Sequence, residues 1–180
     1  MKRILLTGMS GTGKSTVIGE LMARGYKAVD ADSDEFSHWV EVVGDADPFG
    51  SPVEKDRDWM WREDRIQDLL STEDAEVLFL SGCAMNMPRF FPQFDHIVLL
   101  SAPVDVIARR LRTRANNPYG KHPDEINRVL ALVESVEPLL RRVAGYEIDT
   151  SVPLEEVVVS LLQLMQLPPG GKGISSYSSP

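Results

Sequence analysis

The stretch Gly8-Met9-Ser10-Gly11-Thr12-Gly13-Lys14-Ser15, followed by Thr16, constrains this chain more than any other. It has the spacing G-x-x-x-x-G-K-[ST] of a phosphate-binding loop. Its flanks carry the context that such a loop needs. Arg3-Ile4-Leu5-Leu6-Thr7 reads as a short buried strand. After the loop, Val17 with Leu21 and Ile18 with Met22 recur at helical spacing, and Gly25 marks the stop. Glycines at 8, 11 and 13 let the backbone approach a ligand and turn its N–H groups inward, toward an anion at the helix N-terminus. In such a loop Lys14 reaches the β- and γ-phosphates of a nucleotide, and the Ser15 hydroxyl holds Mg²⁺. The expected cofactors are therefore ATP and Mg²⁺, with Gly8, Ser10, Gly11, Thr12, Gly13, Lys14, Ser15 and Thr16 on the nucleotide.

The rest of the chain alternates between strand and helix patterns. Strands are expected at Tyr26–Val29, Glu76–Leu80, His96–Leu100 and Tyr146–Ile148, and Phe90 to Phe94 reads as an irregular aromatic connection. Helices are expected at Ser33 to Val43, Asp56 to Leu70, Val104 to Thr113, Asp124 to Val143 and Leu154 to Leu164. Pro103, Pro123 and Pro153 open the last three. Gly44 to Pro52 reads as a turn-rich loop. Such alternation implies a parallel sheet covered on both faces, with ligands beyond the carboxyl ends of its strands. The site should gather Gly8 to Ser15, Asp30 to Asp34, Ser81 to Asn86 and the loop after Ile148.

The 180 residues suffice for one sizeable core. A net charge of −8 argues against a general nucleic-acid surface but leaves room for a local anion site. A single cysteine, Cys83, forbids an internal disulfide and suits a cytoplasmic protein. No apolar run reaches the roughly 18 residues of a membrane span, and the acidic surface suits a monomer. From Pro168 the composition turns to Gly, Ser and Pro, the signature of a flexible tail over 168–180.

These segments resemble the P-loop small-molecule kinases, the group of shikimate kinase, gluconate kinase and the nucleoside monophosphate kinases. The resemblance covers roughly residues 1 to 166. It implies a three-layer α/β/α fold with a five-stranded parallel sheet, organised as one kinase domain over 1–167. It also implies a substrate-binding helix region near 33–71 and a short lid near 115–122. Asp30-Ala31-Asp32 is similar to the Asp-x-Asp of shikimate kinase. Carried over, Asp30 stands on the metal side and Asp32 is the base for an acceptor hydroxyl; a capping role for Asp32 or Asp34 is the plainer alternative. Arg110 and Arg114 share a helix face. The resemblance sets one against the adenine and the other on the transferring phosphate, with Lys121 of the lid as a further candidate. Asp149-Thr150-Ser151-Val152-Pro153 resembles the adenine-lining loop, which gives Thr150 and Pro153 as cofactor contacts.

The match departs from shikimate kinase after the third strand. That enzyme carries three glycines there, whereas this chain has Gly82-Cys83-Ala84. Cys83 and Asn86 are then expected to face the acceptor. Arg57, Arg62 and Arg65 lie with Trp59 and Trp61 in the acceptor-binding region, where Arg57 is the favoured substrate contact. Arginine there suggests an acidic or phosphorylated acceptor. Trp59 falls on the apolar stripe of the expected helix and is read as core, although a tryptophan there also suits stacking on a base or ring. Transfer of the γ-phosphoryl of ATP to a metabolite hydroxyl is the first reading. A nucleotide kinase is the second, and an ATP-binding regulator with weak ATPase activity the third.

Overall fold

The structure is a computed structural model that describes residues 1–41, 57–115 and 122–170. The expected loop at 44–52 and most of the expected lid lie outside these residues, as do positions 171–180 of the expected tail. Strand β1 (Lys2–Thr7) leads through the glycine loop into α1 (Lys14–Ala23). Then follow β2 (Lys27–Asp30), β3 (Ser37–Glu41), β4 (Arg57–Trp61), α2 (Glu63–Ser71) and β5 (Val77–Ser81). A 3-10 helix (Met87–Gln93) connects to β6 (His96–Ser101), α3 (Val104–Thr113), α4 (Pro123–Ser135), α5 (Glu137–Val143), β7 (Tyr146–Asp149) and α6 (Leu154–Leu164).

Five strands form one parallel sheet in the order β2-β5-β1-β6-β7. Its central strands are apolar on both faces, because helices cover both. On one face Ile4, Leu6, Phe79, Val98 and Leu100 pack against Val17, Ile18 and Leu21 of α1 and Val158 and Leu161 of α6. On the other, Leu5, Leu78, Leu80 and Leu99 pack against Trp61, Ile66, Leu70, Phe90 and Leu140. The carboxyl ends of β1, β2 and β5 thereby bring the glycine loop, Asp30–Asp32 and Ser81–Cys83 to one edge of the sheet. At the C-terminal end the chain stays on the body as far as Pro168, whose carbonyl accepts the Tyr26 hydroxyl.

The structure corrects three helical expectations. Over 33–41 the chain makes a turn, with the Phe36 and Ser37 N–H groups on the Ser33 carbonyl, and then a strand. Residues 57–61 are also a strand, paired antiparallel with it from Ser37↔Trp61 to Glu41↔Arg57. The reason lies in the alternation of Arg57, Trp59 and Trp61 with Asp58 and Met60, a period of two that favours a pleated ribbon over a helix. Hence Trp61 rather than Trp59 is core: Trp61 is 1% exposed, and Trp59 is half-buried beside Trp39. Finally, the single helix expected to run to Val143 divides near Val136. Pro138 has no N–H for the Glu134 carbonyl, and its ring crowds that position.

Trp61 is the largest fully buried side chain. Trp61→Ala is expected to cost about 3–5 kcal/mol. Trp59→Ala, at a half-exposed position, should cost clearly less. Urea unfolding of the two variants reads the difference, and equal losses would contradict the placement of Trp61 in the core.

Candidate functional site

The glycine loop is fixed from two sides. Gly8 has φ +147°, and a Cβ there would fall 2.2 Å from the Leu100 carbonyl oxygen, so the loop starts hard against β6 in a way only glycine permits. At its far side the Thr12 carbonyl accepts the Thr150 hydroxyl at 2.7 Å. Within the loop, the Thr12 hydroxyl donates to the Met9 carbonyl at 2.8 Å. Ser15 and Thr16 are exposed at the first turn of α1.

Lys14 is buried, at 8% exposure, and folds back over the loop. Its ammonium donates to the Gly8 carbonyl at 2.8 Å and lies 3.3 Å from Asp32 Oδ2. Burial disfavours the ammonium, yet the carboxylates of Asp32 and Asp30 hold its pKa above the ordinary value. Asp32 Oδ1 in turn accepts the Cys83 N–H at 3.1 Å. Burial raises the Asp32 carboxyl above the usual range; Lys14 opposes the rise and Asp30 adds to it. Asp30 Oδ1 accepts the Ser81 hydroxyl at 3.0 Å and the Asp32 N–H at 3.1 Å. The two carboxylates thus stand side by side with different partners. Asp32 faces the phosphate-loop lysine, and Asp30 is fastened to β5.

On the opposite wall, Arg110 donates to the Thr150 hydroxyl at 3.0 Å, the Thr150 carbonyl at 2.5 Å and the Gly11 carbonyl at 3.4 Å. Arg114 Nη2 reaches the Ser10 hydroxyl at 3.3 Å. The loop, Arg110, Arg114 and Thr150 are therefore one connected group, while Pro153 is exposed at the start of α6.

The acceptor-side candidates divide. Asn86 is buried and committed to the hairpin. Its Oδ1 accepts the Trp61 N–H at 2.9 Å, and its Nδ2 donates to the Trp61 carbonyl at 3.0 Å and to Glu63 at 3.3 Å. It is a brace for β4 instead of a group facing an acceptor. Arg57 is exposed, its guanidinium 4.6 Å from the centre of the Trp39 ring. Arg62 Nε donates to the Asp34 carbonyl, and Arg65 is exposed on α2. Lys121 lies outside the described residues. Asp58 is not singled out by the sequence, and Trp61, named there with the acceptor-binding region, takes a place of its own. Asp58, 3% exposed on β4, adds its charge to the surroundings of Cys83. Trp61 lays its indole against Gly82, where a Cβ would fall 2.9 Å from the ring. The alternation in 57–61 was the signal for both.

Hard oxygen donors at Ser15 and Asp30 suit Mg²⁺, which takes one or two protein oxygens along with phosphate and water. Cys83 is a poor nucleophile. Burial pushes its thiol up to about 11, against the opposing charge of Lys14. At pH 7 about one part in ten thousand is thiolate. Alkylation of this single cysteine by iodoacetamide should be slow at pH 7 and accelerate up to about pH 11; fast reaction at neutral pH would contradict the raised thiol pKa.

The family model described as an AAA domain (AAA_18) matches residues 4–131. A shikimate kinase of Halorhodospira halophila is 30% identical over 154 residues, covering 83% of this chain and 84% of that protein. A shikimate kinase of Pseudomonas putida is 27% identical over 176 residues, covering 94% and 99%. Among solved structures, shikimate kinase from Acinetobacter baumannii in complex with shikimate shares the fold with a TM-score of 0.61 at 22% identity, over 92% of this chain and 93% of that one. The glycine loop, the five-stranded parallel sheet and these relatives together make the chain a member of the P-loop small-molecule kinases, the phosphotransferase family that holds the shikimate kinases.

Proposed function

We propose that this protein transfers the γ-phosphoryl group of Mg-ATP to a hydroxyl group of a small metabolite. The observation that carries this reading is the 3.3 Å approach of Asp32 to Lys14. It sets a carboxylate with a raised pKa beside the lysine that would bind the transferring phosphate. A hydroxyl must lose a proton as it attacks, and a positioned carboxylate can take it.

Each residue has a part in this account. The N–H groups of Gly11 to Ser15 cradle the phosphates, and Lys14 spans toward the γ-phosphate. Ser15 and Asp30 would hold Mg²⁺, which when bound offsets phosphate charge. Arg114, beside Ser10, is placed to bear on charge developing in transfer. Arg110, held by Thr150, offers a planar wall for the adenine, with the chain through Pro153 beyond it. Asp32 orients the acceptor hydroxyl, and the Cys83 N–H keeps its carboxylate aimed.

Shikimate is the acceptor named in the relatives and is the first compound to assay. The segment Gly82-Cys83-Ala84 differs from the three glycines of shikimate kinase, and the Trp61 ring fills the space above Gly82. Both features favour a different hydroxyl compound. A nucleotide acceptor is the second reading, favoured by Arg57 on the hairpin.

Asp32→Asn separates the two. With a hydroxyl acceptor, turnover should fall roughly 10²–10⁴-fold, while the KM for ATP stays nearly constant. In the native protein the base works only when ionised. Turnover should therefore rise with pH through an apparent pKa above the ordinary carboxylate value. Full activity of Asp32→Asn would remove Asp32 as the base and favour an acceptor that is already ionised.

A further inference from the structure

All three tryptophans of the chain stand on the β3–β4 hairpin. Pairing places them in rows on one face. Ser37 and Trp61 form the inner row, Trp39 and Trp59 the next, and Glu41 and Arg57 the outer one. The inner row belongs to the body of the protein. The Ser37 hydroxyl donates to the Ala31 carbonyl between Asp30 and Asp32, and Trp61 lies on Gly82. The second row begins about 7 Å farther out, two residues along a strand. There Trp39 is 37% exposed and meets Trp59 edge to face with ring centres 5.0 Å apart. Arg57 lies over the Trp39 ring at 4.6 Å. The same hairpin is joined to the acceptor loop, since the Met85 N–H donates to the Trp59 carbonyl at 3.1 Å.

We propose that this row binds a planar aromatic ring carried by the acceptor, so that the compound phosphorylated is an aromatic or heteroaromatic alcohol. The inference rests on the kinase reading given above. Two tryptophans and a guanidinium held against one of them offer π faces and a delocalised cation, a surface suited to a flat ring. A partly exposed tryptophan so close to the acceptor loop gives stacking area at little entropic cost. The row stands one step outside the row of Ser37, whose hydroxyl is bonded to the Ala31 carbonyl beside Asp32, and this order sets the shape of the ligand: a hydroxyl on a short arm toward the carboxylate, with the ring outward on the hairpin. A small non-aromatic polyol at Asp32 would leave the row untouched.

The test uses adenosine, uridine and pyridoxine as ring-bearing alcohols, and shikimate and myo-inositol as alcohols without an aromatic ring. Binding is read from tryptophan emission without ATP, and transfer from acceptor-dependent ADP release with Mg-ATP. At least one ring-bearing alcohol should change the emission and be phosphorylated. Trp39→Val keeps a strand-forming residue in place. It should weaken that compound's binding and raise its KM about tenfold, with less than about a twofold change in the KM for ATP. Arg57→Gln should move the same constants in the same direction. Turnover of shikimate or myo-inositol at equal efficiency in native protein and Trp39→Val would overturn the proposal, as would a failure of all three ring-bearing alcohols to alter emission or accept phosphate. Because the emission measurement needs no nucleotide, it reads the ring site separately from the kinase reading. That reading fails on its own if no Lys14-dependent transfer to any acceptor is found.

Discussion

A buried ammonium must have a carboxylate near it, and the Lys14–Asp32 pair meets that requirement in a way that organises the whole site. Lys14 belongs to the loop after β1 and Asp32 to the loop after β2, two strands that flank β5. Their approach at 3.3 Å spans the carboxyl end of β5. The Cys83 N–H, just past that strand, completes the link by holding Asp32. Removing one partner of such a pair leaves a charge stranded in low dielectric, which is far costlier than losing an exposed pair. The same electrostatic need that fixes the lysine therefore fixes the carboxylate at the place where a phosphate would arrive.

The nucleotide wall depends on backbone fit more than on charge. Gly8 admits the Leu100 carbonyl so closely that no side chain could stand there. Thr150 ties β7 to the loop through Thr12 and also receives Arg110. The phosphate loop is thus referenced to β1, β6 and β7 together, while the acceptor side hangs on β2, β5 and the hairpin. The hairpin is tied to the body through Asn86 on Trp61, the Met85 N–H on Trp59 and the Ser37 hydroxyl on the Ala31 carbonyl, and the Arg62 N–H closes its base on the Phe36 carbonyl. The family fold thus carries the glycine loop on one side of the sheet end and the hairpin with its three tryptophans on the other.

What could be read from the sequence follows from how local each signal is. The glycine loop, the five parallel strands and the Asp30/Asp32 pair are short segments whose chemistry is complete within a few residues. The structure brings Lys14 to Asp32 and Arg110 to Thr150, contacts between segments that are each short and local in the sequence. The hairpin was missed because Ile66 and Leu70, truly helical, lent their period to the preceding residues, although Arg57, Trp59 and Trp61 alternate. Asn86 looked like a ligand because it is polar beside a strand end. Its role as a brace exists through Trp61 and Glu63, 25 and 23 positions away. Pro138 is the local signal that divides the helix expected to run to Val143, since the apolar spacing continues on both sides of it.

The most direct measurement is transfer of labelled γ-phosphate from Mg-ATP into a small-molecule extract, with the native chain and Lys14→Ala side by side. The account predicts a labelled small molecule formed by the native protein and lost with Lys14→Ala. Labelled inorganic phosphate as the sole product from a full extract, or a product formed equally well without Lys14, would contradict it.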